Sequence, residues 1–241
     1  MSSEPVLRIT SSIQINAPLD AVWAALTDTS TWCNWNRFVP GVTIREQPTT
    51  TDNYTETPAA TTTPTIIQNE TLRKNTRLTF HVNMHPSTTT SATESLQKVD
   101  NHVGLVVTEC IPPSPSPPSS AASAAPSSSS NSVAESTPTP RTARITWAND
   151  PSFQGRVMAS LLSAERTHEL VERVEVVSTH PEGEQRRVVT EVTNWEVQGG
   201  VLAYVVKWMF GGRLEENFGI WVKDLRDFVE QAGGEGRGGS G

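Results

Sequence analysis

Ile13-Gln-Ile-Asn-Ala-Pro18-Leu-Asp-Ala-Val-Trp23-Ala-Ala-Leu-Thr-Asp28 changes its hydrophobic period partway along, and that change decides the fold. Upstream of the break, Leu7, Ile9, Ile13 and Ile15 alternate with Arg8, Thr10, Ser12 and Gln14, the pattern of a half-buried strand over 6–15. Asn16-Ala-Pro18 stops this strand and opens a helix, with Asn16 placed to cap it and Pro18 tolerated in the first turn. Val22, Trp23, Ala25 and Leu26 give that helix an apolar side, and Asp20 suits its positive end. A second short helical piece runs from Thr31 to Phe38, Pro40-Gly41 ends it, and 42–46 reads as a strand.

Further along, 78–84 and 99–109 alternate again, Arg144 to Trp147 forms a short strand, and 164–177 and 187–197 form two longer ones. The last element has a different period. Leu214, Phe218, Trp221, Leu225 and Phe228 step by four, three, four and three, which is one face of an amphipathic helix. Leu202, Val205 and Met209 make a shorter stripe upstream, with Gly211-Gly212 expected to bend or interrupt the helix and Gly233-Gly234 to stop it. Strand, two short helices, a run of strands and a long helix predict an α+β domain. Its curved antiparallel sheet of six or seven strands wraps the C-terminal helix and leaves room for a cavity between them.

Composition divides the 241 residues into a single domain over 6–231 carrying two polar insertions and a tail. Residues 112–140 hold 8 Pro, 11 Ser and 5 Ala, too little apolar surface to offset the entropy of ordering. The Thr-rich stretch 48–65 reads as a second disordered insertion, and 232–241 as a Gly-rich tail. The net charge of −7 argues against nucleic-acid binding, which needs clustered Lys and Arg. No apolar run is long enough to span a bilayer, and the N-terminus lacks the basic and apolar regions of a secretory signal. Cys33 and Cys110 form neither a disulfide framework nor a metal spacing. The expectation is a monomeric, intracellular, cytoplasmic protein with no metal and no cofactor.

The opening strand and helix, the Trp-rich turn with Trp32 and Trp35, and Pro40-Gly41 resemble the START-like superfamily, also called SRPBCC. Trp147, Ala164-Glu-Arg-Thr-His-Glu-Leu170 and Asn194-Trp-Glu-Val-Gln-Gly199 resemble the later strands of its polyketide cyclase/dehydratase branch, with Arg166 standing where the usual pattern has His and His168 where it has Phe. The resemblance covers roughly 6–46, 72–110 and 142–231. It implies a helix-grip fold, and it leaves activity open among lipid carriers, receptors and cyclases.

Common catalytic signatures are absent: there is no His-Glu-x-x-His, no Gly-x-Ser-x-Gly elbow, no phosphate-binding loop and no Cys-x-x-Cys. On the strand 164–177, Arg166, His168 and Leu170 share one face. If that face is inward, His168 has the chemistry to move a proton and Arg166 to stabilise an enolate. The structural alternative pairs Arg166 with Glu196 and makes His168 a core residue. Strand register decides whether Glu191 or Glu196 faces inward. Trp32, Trp35 and Phe38 are expected at the cavity mouth, Phe80, Trp147 and Trp195 along its wall, and Glu196 and Met209 as further contacts. Trp23, Trp208 and Trp221 are read as packing.

Three functions follow. The first is binding, transport or presentation of a hydrophobic small molecule such as a lipid, sterol, isoprenoid or aromatic polyketide. The second is a cofactor-independent cyclase or dehydratase acting on a polyketide-like intermediate through Arg166 and His168. The third is an interaction module that uses the Pro/Ser-rich segment.

Overall fold

The computed structural model describes residues 4–48, 70–87, 89, 91–115, 140–180 and 183–235, with backbone alone at 177–180, 183–185 and 235. Among the described residues seven strands form one sheet: β1 (Leu7–Ile15), β2 (Gly41–Glu46), β3 (Arg77–Val82), β4 (Asn101–Ile111), β5 (Thr142–Asn149), β6 (Ser163–His180) and β7 (Gly183–Gly199). Their order is β1-β7-β6-β5-β4-β3-β2, and every neighbouring pair is antiparallel. Register shifts at Ile44/Glu46, Val107/Glu109 and Val176/Ser178 add local twist and curve the sheet. The expected insertions fall between β2 and β3 and between β4 and β5; apart from residue 48, residues 112–115 and residue 140, they lie outside the described residues.

The turn after β1 leads into α1 (Leu19–Thr27), a 3-10 turn (Thr29–Thr31) and α2 (Trp32–Trp35). The cap on α1 differs from expectation. Pro18 occupies the cap position and has no side chain to offer, so the Leu19 N–H donates instead to Glu172 Oε2 of β6, 3.0 Å away. Asn16 turns elsewhere: its backbone N–H and its side-chain Nδ2 both donate to Glu230 Oε1, each at 2.8 Å. Among the described residues three short helices add to the expected elements: α3 (Ala92–Leu96), α4 (Pro151–Gln154) and α5 (Arg156–Leu161). Asp150 starts α4 by accepting from the Ser152 N–H, and it also pairs with Arg45 at 2.7 Å and with Arg77.

The chain closes with α6 (Val201–Glu235), which runs unbroken through Gly211-Gly212 and past Gly233-Gly234. The expected interruption is absent, and 232–235 belong to the helix rather than to a tail. A glycine costs a helix about 1 kcal/mol; the buried face lies downstream of the pair, and upstream of it Ala203 is the one buried residue. Leu214, Phe218, Trp221, Leu225 and Val229 are buried against the sheet, while Phe228 packs half-buried at the edge of the core. At the β7–α6 turn Gly200 has φ +90°, and a Cβ there would stand 2.3 Å from the Leu161 carbonyl oxygen, so only glycine fits.

The unbroken helix also resets the upstream stripe. Counting back from Leu214 at 3.6 residues per turn reaches Phe210, Val206 and Ala203, and these face the sheet side. Val205 and Met209 point outward, with Met209 57% exposed. Trp208 is 86% exposed, so its expected packing role is corrected.

Candidate functional site

Strand alternation carries one row of each strand to the face under α6. On β6 that row is Arg166, His168 and Leu170; on β7 it is Val192, Asn194, Glu196 and Gln198. Glu196, not Glu191, is therefore the inward carboxylate. The same register turns Trp195 to the opposite face of the sheet, beside Thr10 and Thr167, which removes it from the expected wall.

Between this face and the helices lies a cavity of about 410 Å³. Phe80, Trp147 and Phe38 line it, and Met158, Val206 and Phe210 cover it from α5 and α6. Arg166, Glu196 and Gln198 supply buried polar groups, with Asn101, His102 and Gln154 as more accessible ones. Glu196 is the only carboxylate among the described lining residues. Met209 is not in the lining, because the phase of α6 puts Phe210 there instead.

Trp32 and Trp35 are buried but do not line the cavity. They belong to the layer behind it: Trp32 lies 5.4 Å from Phe80 and 5.0 Å from Trp221, ring centre to ring centre. Their position follows from α2, whose single turn faces the core. Just after it, Arg37 clamps the chain to α6 through Asp224, with a 2.6 Å contact from Nη2 to Oδ1 and a 3.0 Å bond from the Arg37 N–H. The hydrogen bond to Asp224 raises the Arg37 pKa, and the clamp sets neighbouring Phe38 at the cavity.

Arg166 and Glu196 face each other directly across the β6–β7 ladder. Arg166 donates from Nε at 2.9 Å and contacts from Nη2 at 2.8 Å, both to Glu196 Oε2. The guanidinium carbon also sits 4.2 Å from the Phe218 ring centre. Oε1 of Glu196 accepts from Gln198 Nε2. Arg166 Nη1 and Gln198 Oε1 remain without partners among the described residues.

His168 shares the inward row but not the cavity. It is fully buried, with its ring centre 4.8 Å from that of Trp147 and 5.4 Å from that of Trp221, and neither ring nitrogen has a partner among the described residues. Burial, followed by the positive charge of Arg166, lowers its pKa well below the ordinary histidine value. The imidazole is held neutral behind the aromatic wall. Arg166 and His168 thus lie two residues apart on one strand, yet only Arg166 lines the cavity.

Gln198, Gln154 and the cover from α5 and α6 were not anticipated as site residues. Alternation from Glu196 points to Gln198 once the inward face is known, and the helical period points to Phe210 once the helix is continuous. Gln154, Met158 and α5 carry no comparable sequence signal. Among the described residues no cluster of three or more metal-ligating side chains exists, and no helix is long and apolar enough to cross a membrane.

Residues 6–125 match the family model described as polyketide cyclase / dehydrase and lipid transport. The chain is 36% identical over 220 residues to oxopyrrolidines biosynthesis cluster protein O of Penicillium oxalicum, covering 91% of this chain and 85% of that protein. Among solved structures, it is similar to a hypothetical protein of Helicobacter pylori (TM-score 0.48, 11% identity, 92% of this chain and 88% of that one). It is also similar to an aromatase/cyclase from a Streptomyces species (TM-score 0.36, 11% identity, 93% and 94%).

Proposed function

Because the chain belongs to the polyketide cyclase / dehydrase and lipid transport family, we propose that it binds a hydrophobic small molecule in the cavity beneath α6. The observation that carries this reading is the cavity itself: about 410 Å³, walled by Phe80 and Trp147, covered by Val206 and Phe210, with a small buried polar group at Arg166. Such a volume and lining suit a small, flat, largely apolar guest. The relative named for an oxopyrrolidine biosynthesis cluster supports a secondary-metabolite intermediate as that guest over a bulk membrane lipid.

The test is calorimetric titration with naphthalene, set beside Ala164→Trp, which places an indole on a lining position of β6. The wild-type protein takes up one equivalent. The variant keeps its circular dichroism and loses the binding. Uptake that Ala164→Trp leaves unchanged, or no uptake by the wild-type protein, overturns the proposal. Native mass spectrometry of protein from its own cells then identifies the resident molecule.

Cyclisation or dehydration of a polyketide-like intermediate is the second reading, favoured by the presence of Arg166 and Glu196 together in the cavity lining. In that chemistry a proton leaves the carbon next to a carbonyl and the oxygen gains negative charge, which an arginine N–H stabilises. Glu196 is the lining carboxylate available as proton acceptor; His168 lies behind Trp147 and would need that ring to move. Turnover of a supplied polyketide that Arg166→Lys and Glu196→Gln both leave intact removes this reading.

A further inference from the structure

The first turns of α6 are apolar on two opposite faces. One face, with Ala203, Val206 and Phe210, turns to the sheet and the cavity. The other repeats at the same helical period half a turn away, as Val201, Tyr204, Val205, Trp208 and Met209, and all five are exposed. Tyr204 is 66% exposed, and Val157 of the adjoining α5 is 73% exposed. Next to Val157, Met158 is exposed too, and it joins Phe210 in covering the cavity. Single exposed valines are ordinary on a protein surface. A whole helix face of apolar and aromatic side chains beside a cavity cover marks an interaction surface.

Charge identifies what it meets. Residues 151–164 and 197–214 hold Arg156, Lys207 and Arg213 and no Asp or Glu, in a chain of net charge −7. Arg156 is exposed and has no ion pair among the described residues. Lys207 reaches only a backbone carbonyl, that of Val6 at 3.3 Å, and Arg213 pairs with Glu216 at 2.8 Å. Around the helix axis Lys207 and Arg213 stand on either flank of the outward stripe. A cationic, apolar face on an acidic chain is complementary to an apolar partner with an anionic surface. Helices that lie in a bilayer interface have this composition: aromatic rings at headgroup depth, aliphatic side chains below, and long basic side chains reaching the phosphates. A second copy meeting the same face across a two-fold axis would instead bring the basic side chains of both copies together.

We propose that the outward face of α6, together with α5, docks on a lipid bilayer that carries anionic headgroups. Tyr204 and Trp208 lie at headgroup level, Val201, Val205 and Met209 contact the acyl boundary, and Arg156 and Lys207 meet the phosphates. The helix lies in the surface, since no helix among the described residues is long and apolar enough to cross it. Docking brings the cavity cover at Phe210 and Met158 to the membrane, so a guest passes between the two without entering bulk water. That passage rests on the binding reading above; the docking does not.

Flotation of the full chain with vesicles tests the docking, using phosphatidylcholine alone and an equal mixture of phosphatidylcholine and phosphatidylserine. The wild-type protein floats with the mixed vesicles and far less with the neutral ones, and added salt weakens the association. Trp208→Ala lowers the partition coefficient about tenfold, the scale of one large side chain withdrawn from water. Arg156→Gln combined with Lys207→Gln lowers it about thirtyfold, the scale of two basic side chains at an anionic surface. Val174→Ser, at an exposed valine in the part of β6 remote from α5, leaves it unchanged. Circular dichroism confirms that each variant is folded.

No flotation with either vesicle, equal flotation with both, or flotation that Trp208→Ala leaves unchanged overturns the proposal. A wild-type dimer that ignores vesicles and that Trp208→Ala dissociates overturns it too, and makes the face a contact between copies. Naphthalene uptake in solution is independent of these outcomes, so the binding reading stands or falls separately.

Discussion

Arg166 on β6 and Glu196 on β7 meet across one rung of the ladder, with two guanidinium nitrogens within 2.9 Å of the same carboxylate oxygen. Each side chain is 10% exposed, so neither charge is tolerable without the other. The pair works as a neutral polar module in an otherwise apolar wall.

Glu196→Met strands the buried guanidinium and is expected to cost about 3 kcal/mol of stability, within the range for breaking a buried pair. Arg166→Met combined with Glu196→Met removes both charges and recovers most of that loss. Urea unfolding of the two variants checks this, and equal stability of single and double variants contradicts it.

Stability is expected to fall in mild acid because of His168. Its folded pKa lies below its unfolded value, so between the two the unfolded state binds more protons and stability rises with pH. The contribution is complete above the unfolded pKa of about 6.5 and is lost below it at up to about 1.4 kcal/mol per pH unit. His168→Phe keeps a ring between Trp147 and Trp221 and lowers the slope between pH 6.5 and 5. Unfolding free energies measured across that window for both proteins decide it.

The phase of α6 makes a sharp contrast between two tryptophans. Trp221 is fully buried, and Trp221→Ala is expected to cost about 3–5 kcal/mol. Trp208 is 86% exposed, and Trp208→Ala is expected to stay within about 0.5 kcal/mol of the wild-type protein. Thermal and urea unfolding measure both.

Adjacent residues of the same helix offer a matching test on binding. Phe210 lines the cavity and Met209 does not. Phe210→Ala lowers affinity for naphthalene about tenfold, as expected for losing one aromatic contact surface, and Met209→Ala leaves it unchanged. Calorimetric titration of the two variants separates them.

Asp150 holds α4 near the cavity and is expected to matter at lower pH still. Burial alone would raise its pKa, but hydrogen bonds from Ser152, Arg45 and Arg77 outweigh that and hold it well below the usual carboxylate range. Its contribution is present above the unfolded pKa of about 3.9 and is lost as pH falls towards the folded value. Asp150→Asn costs about 2 kcal/mol at neutral pH, and the gap to wild type closes below pH 4, as read from acid titration of unfolding.

Much of the fold was legible because periodicity is a local property. The alternation of Leu7 to Ile15, the break at Asn16-Ala-Pro18 and the stripe from Leu214 to Phe228 each specify an element and its buried side without reference to the rest. On β6 the same reading groups Leu170 with Arg166 and His168 on one face, and leaves open whether that face is inward. What periodicity leaves open is phase across an interruption and register between strands. Met209 was placed one residue out because Gly211-Gly212 looked like a break, and only the packed helix shows that its phase carries through. Trp195 and the choice of Glu196 over Glu191 waited on the pairing of β7 with β6, where a shift of one residue exchanges the two faces.

The amino-acid sequence by itself determined the order of the strands with α1, α2 and α6 around them, and the sharing of one face of β6 by Arg166, His168 and Leu170, through patterns that each element carries alone. Tertiary structure decided the rest. It separated Arg166, at the cavity, from His168, behind Trp147, and it capped α1 with Glu172 in place of Asn16. It also joined Arg166, Glu196 and Gln198 into one hydrogen-bonded chain. The physical reason is that hydrogen bonds and ring contacts join side chains distant in sequence, and their geometry exists only once the sheet has curved around α6.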